Sequence, residues 1–192
     1  MTSETRASPL RRDARRNVER ITAAALEAFT ERGLDCPLEE IARRAGVSPG
    51  TVYNRFGGRE ALIDAVVPDL AAAKLADAVE SARRARDPWE RFRAYVEAVG
   101  ELMAADPALS DIVTRRHDDS PRLRAVCAES FGHAHALLQN AQRAGSLRAD
   151  FRPEDLSLLF GSVAALARTS PDTWRRLLGF VLDGLRAQAA NL

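Results

Sequence analysis

The chain contains 192 residues, a length that suits one large domain or a small domain joined to a larger one. Hydrophobic residues make up 46% of it and charged residues 29%, so the chain can build an ordinary buried core and is not a disordered tail. Its 28 Lys and Arg residues nearly balance its 27 Asp and Glu residues, which argues against a uniformly basic chromatin-type binder. Any function that depends on charge must therefore be local.

The two cysteines, Cys36 and Cys127, lie far apart and in no metal-binding spacing. They support neither a disulfide framework nor a cysteine zinc site, and a reducing compartment is the simplest interpretation. The N-terminus lacks the apolar stretch of a signal peptide, and no run approaches the roughly 18 consecutive apolar residues of a membrane span. We therefore expect a cytoplasmic protein with no membrane partner, metal or cofactor.

Prolines mark the predicted starts of seven helices, because proline is tolerated at the first helical position, where its missing N–H would have no partner. Five of these prolines follow Ser or Asp, whose side-chain oxygens can cap a helix start. Two more helices are predicted over residues 11–32 and 59–86, and no segment alternates with the period of a strand. The sequence thus predicts an all-α chain of about nine helices, seven of which start at Pro37, Pro49, Pro88, Pro107, Pro121, Pro153 and Pro171.

The other two prolines have different predicted roles. Pro9 falls in a leader that we expect to be disordered, whereas Pro68 falls inside the helical pattern of residues 61–86, which it should kink or break. Arginines near the N-terminus are interleaved with Asp13 and Glu19, so a solvated face and a DNA-gripping arm are equally good interpretations. These arginines are Arg6, Arg11, Arg12, Arg15 and Arg16.

Apolar residues in the second half of the chain recur at three- and four-residue steps, which predicts one-sided helices. The last two helices differ, since neither has a generous polar face near its centre, as the run 156–166 shows. Such a pair can bury one side in its own core and the other side against a second copy. We therefore expect a homodimer formed through the last two helices.

Residues 38–56 are the most specific stretch, reading LEEIARRAGVSPGTVYNRF. A short helix, a tight turn at Gly46, and a second short helix capped by Ser48 with Pro49 at its first position form a helix-turn-helix pattern. The second helix of this motif can enter a DNA major groove, although a plain helical hairpin is the alternative interpretation. The polar groups left to meet a ligand belong to Thr51, Tyr53 and Asn54.

Specific residues in and around this motif are Gly33, Ile41-Ala42, Ala45-Gly46-Val47-Ser48, Gly50-Thr51-Val52-Tyr53, Phe56 and Arg59-Glu60-Ala61-Leu62. Over roughly residues 15–65 the sequence resembles the N-terminal DNA-binding region of the tetracycline-repressor (TetR) family of transcriptional regulators. The resemblance implies an all-helical homodimer in which three N-terminal helices bind operator DNA and six further helices bind a ligand and the second subunit. We accordingly predict a DNA-binding domain over residues 11–58 and an effector-binding and dimerisation domain over residues 59–192.

The resemblance also implies which residues contact DNA. Tyr53 is placed on a phosphate, with burial in the core as its alternative, whereas Phe56 belongs to the core. Arg59 matches a usually basic position, where side-chain charge and free backbone N–H groups favour a phosphate. At least one of Arg43 and Arg44 should reach the DNA backbone. The full predicted set is Arg43, Arg44, Ser48, Pro49, Gly50, Thr51, Tyr53, Asn54 and Arg59.

Two departures from the family pattern weaken helix capping. Cys36 and Pro37 stand where the family often has Thr or Ser, and Gly57-Gly58 replaces a better-capped turn before Arg59. These departures put local stability in doubt more than function.

An enzyme is the rival class of function. His133 and His135 lie about 200° apart around a helix, so they cannot ligate one metal, and the chain has no G-x-S-x-G, H-E-x-x-H, G-x-G-x-x-G or P-loop motif. We therefore expect no enzyme. A ligand pocket is a better interpretation of the histidines and aromatic residues. Apolar residues at helical spacing are usually core, however, and basic groups at the end of a helix also suit the negative end of its dipole. The predicted pocket residues are Phe92, Tyr95, Met103, Arg116, His117, Phe131, His135 and Phe160.

These features together predict a repressor that a small-molecule effector releases from a palindromic operator. A co-repressed or activating regulator, and a helical small-molecule-binding protein without DNA activity, are the alternatives. Pro68 lies where the DNA-binding part joins the larger part, so effector binding could swing residues 59–67 about it. A static bend that fits the helix to the core is the alternative role for Pro68.

Overall fold

The computed structural model describes residues 9–115 and 117–187, and their regular secondary structure is entirely helical apart from one isolated antiparallel bridge between Leu147 and Arg186. The all-α prediction is therefore confirmed. The ten helices of the described part are α1 (Pro9–Arg32), α2 (Leu38–Ala45), α3 (Pro49–Phe56), α4 (Arg59–Val66), α5 (Pro68–Arg83), α6 (Pro88–Ala105), α7 (Pro107–Thr114), α8 (Pro121–Arg143), α9 (Pro153–Thr169) and α10 (Trp174–Leu185).

The described part has ten helices rather than nine because Pro68 breaks the predicted helix over residues 59–86. The Val67 N–H donates to the Ile63 carbonyl at 3.0 Å and ends α4, and Pro68 is the first residue of α5. Pro9 differs from its prediction, since it lies in α1 rather than before it, while the rest of the predicted leader, residues 1–8, is outside the described residues. Proline is favoured at a helix start, which explains the position of Pro68.

Five of the seven predicted proline starts are confirmed, namely those of α3, α6, α7, α8 and α9. Ser48, Asp87, Asp106 and Ser120 each accept a backbone N–H of the first turn, as a cap should. The other two prolines are offset from their helices. Pro37 is itself the N-cap of α2, and α10 begins three residues after Pro171 because the Thr173 N–H closes a turn on the Ser170 carbonyl at 3.0 Å.

The buried apolar residues form two clusters. One cluster joins α1–α3 to α4, the start of α5, α7 and Leu123 at the start of α8. The second cluster fills the space among α5, α6, α8, α9 and α10, and it contains the predicted α6 stripe from Trp89 to Met103. The N-terminal helices are therefore packed directly on α4 and α7.

Candidate DNA interface and effector cavity

The turn between α2 and α3 has the geometry that the sequence predicts. Gly46 adopts a left-handed conformation with φ 62°, and its N–H donates to the Arg43 carbonyl at 3.2 Å. The Val47 N–H donates to the Ala42 carbonyl at 3.0 Å. The Arg20 guanidinium of α1 donates to the Gly46 carbonyl at 3.3 Å. Sequence reasoning missed Arg20, because its partner is a backbone oxygen 26 residues further along the chain.

Helix α3 buries one side and exposes the other. Val52 is fully buried and Phe56 packs against the N-terminal cluster, as predicted for Phe56. The Ser48 Oγ accepts the Thr51 N–H at 3.2 Å and shares a hydrogen bond with the Thr51 hydroxyl at 2.9 Å. Tyr53 is 61% exposed, which is not the exposure of a core tyrosine. The other exposed residues of the predicted set at this helix are Ser48, Pro49, Gly50 and Asn54.

Arg43 and Arg44 of α2 are both paired with acids, but to different extents. Arg43 makes two hydrogen bonds to the Glu40 carboxylate at 2.8 and 2.9 Å, yet its side chain stays 72% exposed. Arg44 lies between Glu40 and Glu31, at 2.8 and 2.7 Å, and is mostly covered. Hydrogen bonds from Arg43 and then Arg44 lower the pKa of Glu40 to about 2. Arg43 is thus the more accessible of the two cations.

The Arg59 side chain lies against the loop between α1 and α2. Its Nη1 donates to the Leu34 carbonyl at 3.0 Å and makes a short hydrogen bond to the Cys36 carbonyl. Both carbonyls precede a helix whose start lacks a side-chain cap. Arg59 therefore has a structural role here, and its contact with a phosphate remains a prediction.

The arginines near the N-terminus are only partly described. Arg15 forms an exposed ion pair with Glu19 at 3.0 Å, and Arg16 is exposed. Arg6 and the side chains of Arg11 and Arg12 lie outside the described residues. Contact of these arginines with DNA stays a prediction.

A cavity of about 110 Å³ lies among α5, α6, α7, α8 and α9. Of the predicted pocket residues, Tyr95, Phe131 and Phe160 line it. Phe92 and Met103 are buried in the second apolar cluster and are not among its lining residues. The prediction also missed several lining residues, because they come from helices far apart in the chain: Leu75, Ile112, Arg115, Cys127, Ser130 and Ser157.

His117 and His135 are not among the described residues that line this cavity. The His117 Nε2 donates to the Ile112 carbonyl at 3.0 Å, and the His135 Nε2 is 3.0 Å from the Gln139 amide nitrogen. Arg116 lies outside the described residues. Among the residues that the structure does describe, no group of three His, Cys, Asp or Glu side chains could hold a metal ion.

Polar groups inside the cavity are few and mostly neutral. The Tyr95 hydroxyl donates to the Ser130 carbonyl at 3.2 Å and lies 2.9 Å from the Ser130 hydroxyl. Burial raises the pKa of Tyr95 and of the Cys127 thiol, so both stay protonated at neutral pH. Such a lining suits a largely apolar small molecule.

Two polar clusters join the cavity helices to the N-terminal helices. Asp111 of α7 is almost fully buried and accepts the Leu34 N–H at 2.9 Å. Asp64 of α4 accepts the Ser120 hydroxyl at 2.6 Å and the Arg122 N–H at 3.0 Å, and the Ser120 hydrogen bond lowers the pKa of Asp64. These clusters connect α7 and α8 to the α1–α2 loop and to α4.

Comparisons with known proteins agree with this architecture. Residues 21–66 match the family model "Bacterial regulatory proteins, tetR family", and residues 87–187 match "Transcriptional regulator SbtR-like, C-terminal domain". No helix in the described ranges combines the length and the apolar character that crossing a bilayer requires.

Individual relatives include the transcriptional regulator BetI of Brucella canis, 34% identical over 161 residues that cover 78% of this chain and 80% of BetI. The TetR regulator SCO0520 of Streptomyces coelicolor is 36% identical, with 89% of this chain and 99% of that chain covered and a TM-score of 0.52. RolR in complex with resorcinol shares the fold at 21% identity and TM-score 0.61, covering 93% and 92%. In three other curated relatives the match spans 41–58% of their length. The chain belongs to the TetR family of transcriptional regulators.

Proposed function

We propose that the protein is a homodimeric repressor that binds a palindromic operator through α3 and releases it when a small molecule enters the cavity. The exposed polar side of α3 carries this proposal. Tyr53 and Asn54 are exposed while Val52 anchors the opposite side of the helix in the core. A short helix held in this way can be inserted into a major groove without disturbing its own packing.

Exposed apolar side chains on the last two helices support the homodimer. Leu158 of α9 is 72% exposed and Phe180 of α10 is 61% exposed, with Leu177 also exposed. Large apolar side chains concentrated on two neighbouring helices favour burial against another surface. A two-fold dimer formed there would place the two α3 helices in successive major grooves, about 34–36 Å apart.

Effector control is supported by the connections between the cavity and α4. Helix α8 lines the cavity through Phe131 near its middle, and it contacts α4 through Ser120 and Arg122 at its N-terminal end. A ligand that displaces α8 would therefore pull on Asp64 and tilt α4 about Pro68. Leu102 and Val126 pack against both apolar clusters. RolR, a structural neighbour, binds a small molecule, and the relatives are regulators rather than enzymes, which supports the same assignment.

Selection of genomic DNA fragments by the purified chain tests the proposal, because a bound fragment is recovered whatever the sequence of the operator. We expect one enriched palindrome, and Thr51→Ala or Asn54→Ala to change its base preference. Tyr53→Phe should weaken binding to all sequences, and Arg93→Gln on α6 is the matched control that should change neither. Arg59→Ala should reduce the slope of log affinity against log salt if Arg59 contacts a phosphate. An absence of any enriched fragment would contradict DNA binding.

A further inference from the structure

The cavity has one permanently charged group among its described lining residues. Arg115, which follows α7, is that group, and none of the described lining residues is an acid. The other polar lining groups are hydroxyls and a protonated thiol, and the rest of the lining is aliphatic and aromatic. A ligand that matches this lining has an apolar body and one negatively charged group.

The present partners of Arg115 are two aspartates that differ in how firmly they are held. Asp35, in the loop between α1 and α2, is 2.7 Å from the Arg115 Nη2, and its side chain is 75% exposed. Asp111 is 3.0 Å from the same nitrogen, is almost fully buried and also accepts the Leu34 N–H. Arg168 of α9 lies 3.8 Å from the Asp111 carboxylate. The ion pair of Arg115 with Asp35 is therefore the easier one to break, because the exposed Asp35 carboxylate can exchange Arg115 for water.

We propose that the effector is a small apolar carboxylic acid whose carboxylate replaces Asp35 on Arg115. The inference rests on the proposed function and names the ligand class of its cavity. Exchange of Asp35 for a ligand carboxylate leaves the negative charge that faces Arg115 unchanged. Arginine binds a carboxylate through two parallel hydrogen bonds, which a neutral amide or alcohol cannot reproduce.

The size of the cavity limits the body of the acid. An apolar cavity of about 150 Å³ holds benzene, so a space of about 110 Å³ limits the body of the acid to at most one ring or a short alkyl chain. Phe131 lines the cavity and is 42% exposed, so its side chain lies between the cavity and solvent. Acids with a single ring or a short chain are therefore the expected class.

The same exchange explains how binding is transmitted. The Asp35–Arg115 pair ties the α1–α2 loop to α7, and the same loop provides the carbonyls that Arg59 of α4 holds. Loss of the pair leaves the Leu34–Asp111 hydrogen bond as the nearest polar connection of this loop to α7. The N-terminal helices then become freer to change their position relative to α7.

The test compares a carboxylate with its uncharged analogue. The full chain is titrated by calorimetry with 3-phenylpropanoate, hexanoate and benzoate, and with the amide of each acid. Each acid and its amide share the same apolar part, so the difference in their affinities measures the effect of the carboxylate charge. We expect at least one acid to bind about tenfold or more tightly than its amide, the effect of one charge-assisted pair. Arg115→Gln should abolish the difference while leaving amide binding unchanged. Arg93→Gln, which removes an exposed α6 cation, should keep it.

Asp35→Asn provides a second variant. Because the Asp35 side chain is exposed, this substitution should leave the protein folded, so it tests the inference even where Arg115→Gln fails to fold. It should raise acid affinity severalfold by removing the competitor, and should reduce the effect of the acid on operator affinity. Three results would each overturn the inference. They are equal affinity for acids and amides, no binding of any acid at millimolar concentration, and an acid preference that is unchanged in Arg115→Gln. Failure of the ligand-free protein to bind an operator would instead overturn the proposed function.

Discussion

The junction between α4 and α5 yields a quantitative prediction about Arg122. Proline has no N–H, so Pro68 cannot donate to the carbonyl four residues earlier, that of Asp64. The Arg122 Nη1 of α8 donates to that carbonyl at 3.0 Å, and the Nη2 pairs with Asp69 at 2.6 Å. Arg122 thus supplies the hydrogen bond that Pro68 removes and fastens α8 to both sides of the helix break.

Arg122→Met keeps the apolar stem of the side chain and removes its donors. A hydrogen bond to a charged group contributes about 1.5–3 kcal/mol, and the 47% exposure of the Arg122 side chain reduces this to about 1 kcal/mol. The exposed pair with Asp69 adds about 0–1 kcal/mol. We therefore expect Arg122→Met to lower the free energy of unfolding by about 1–2 kcal/mol, equivalent to a fall in melting temperature of roughly 2–8 °C for a chain of this size.

A double-mutant cycle with Pro68→Ala isolates the hydrogen bond. Alanine restores an N–H that can reach the Asp64 carbonyl, so in this background Arg122→Met should cost only the Asp69 pair. Urea denaturation of all four proteins at one protein concentration, which controls for dimer dissociation, should give a coupling of about 1 kcal/mol. Equal costs of Arg122→Met in both backgrounds would refute the reasoning.

Three further predictions concern α2 and α3. Gly50→Ala should lower operator affinity, measured by fluorescence anisotropy, because the added methyl group lies on the surface proposed to meet DNA. It should not lower the free energy of unfolding, measured by urea titration, because the nearest atom to the added Cβ is the Ser48 Oγ at 3.9 Å. The control Gly132→Ala on α8, whose added Cβ also meets open space, should leave operator affinity unchanged. Glu40→Gln should free Arg43, strengthen binding to every DNA sequence and steepen the salt dependence; unchanged affinity for random DNA would contradict this. The pKa of Glu40 lies well below its unfolded value, so its stabilising contribution should be complete above about pH 4.5 and decline towards pH 2; acid unfolding of Glu40→Gln should show a smaller loss over that range.

Local rules predicted much of the fold from the sequence. The caps at Ser48, Asp87, Asp106 and Ser120 depend on atoms within three residues, which a sequence shows directly. The start of α10 was misplaced because both Pro171 and the turn before Trp174 satisfy similar local rules.

Long-range contacts account for most of what the sequence could not predict. Spacing indicated that Phe92 and Met103 are buried, but not whether they face a cavity or close-packed neighbours. The partners of Arg59 lie 23 and 25 residues earlier in the chain, and those of Arg115 include Asp35, 80 residues away. Only the packing of α4 and α7 on the α1–α2 loop brings these groups together.

Hydroxyl-radical footprinting of the selected operator is the most direct test of the central claim, that α3 of two subunits reads DNA. The account predicts two symmetric protected patches whose centres are about 10–10.5 base pairs apart, with loss of both patches in Asn54→Ala at the same protein concentration. A single asymmetric patch occupied by one subunit, or a footprint that Asn54→Ala leaves unchanged, would contradict it.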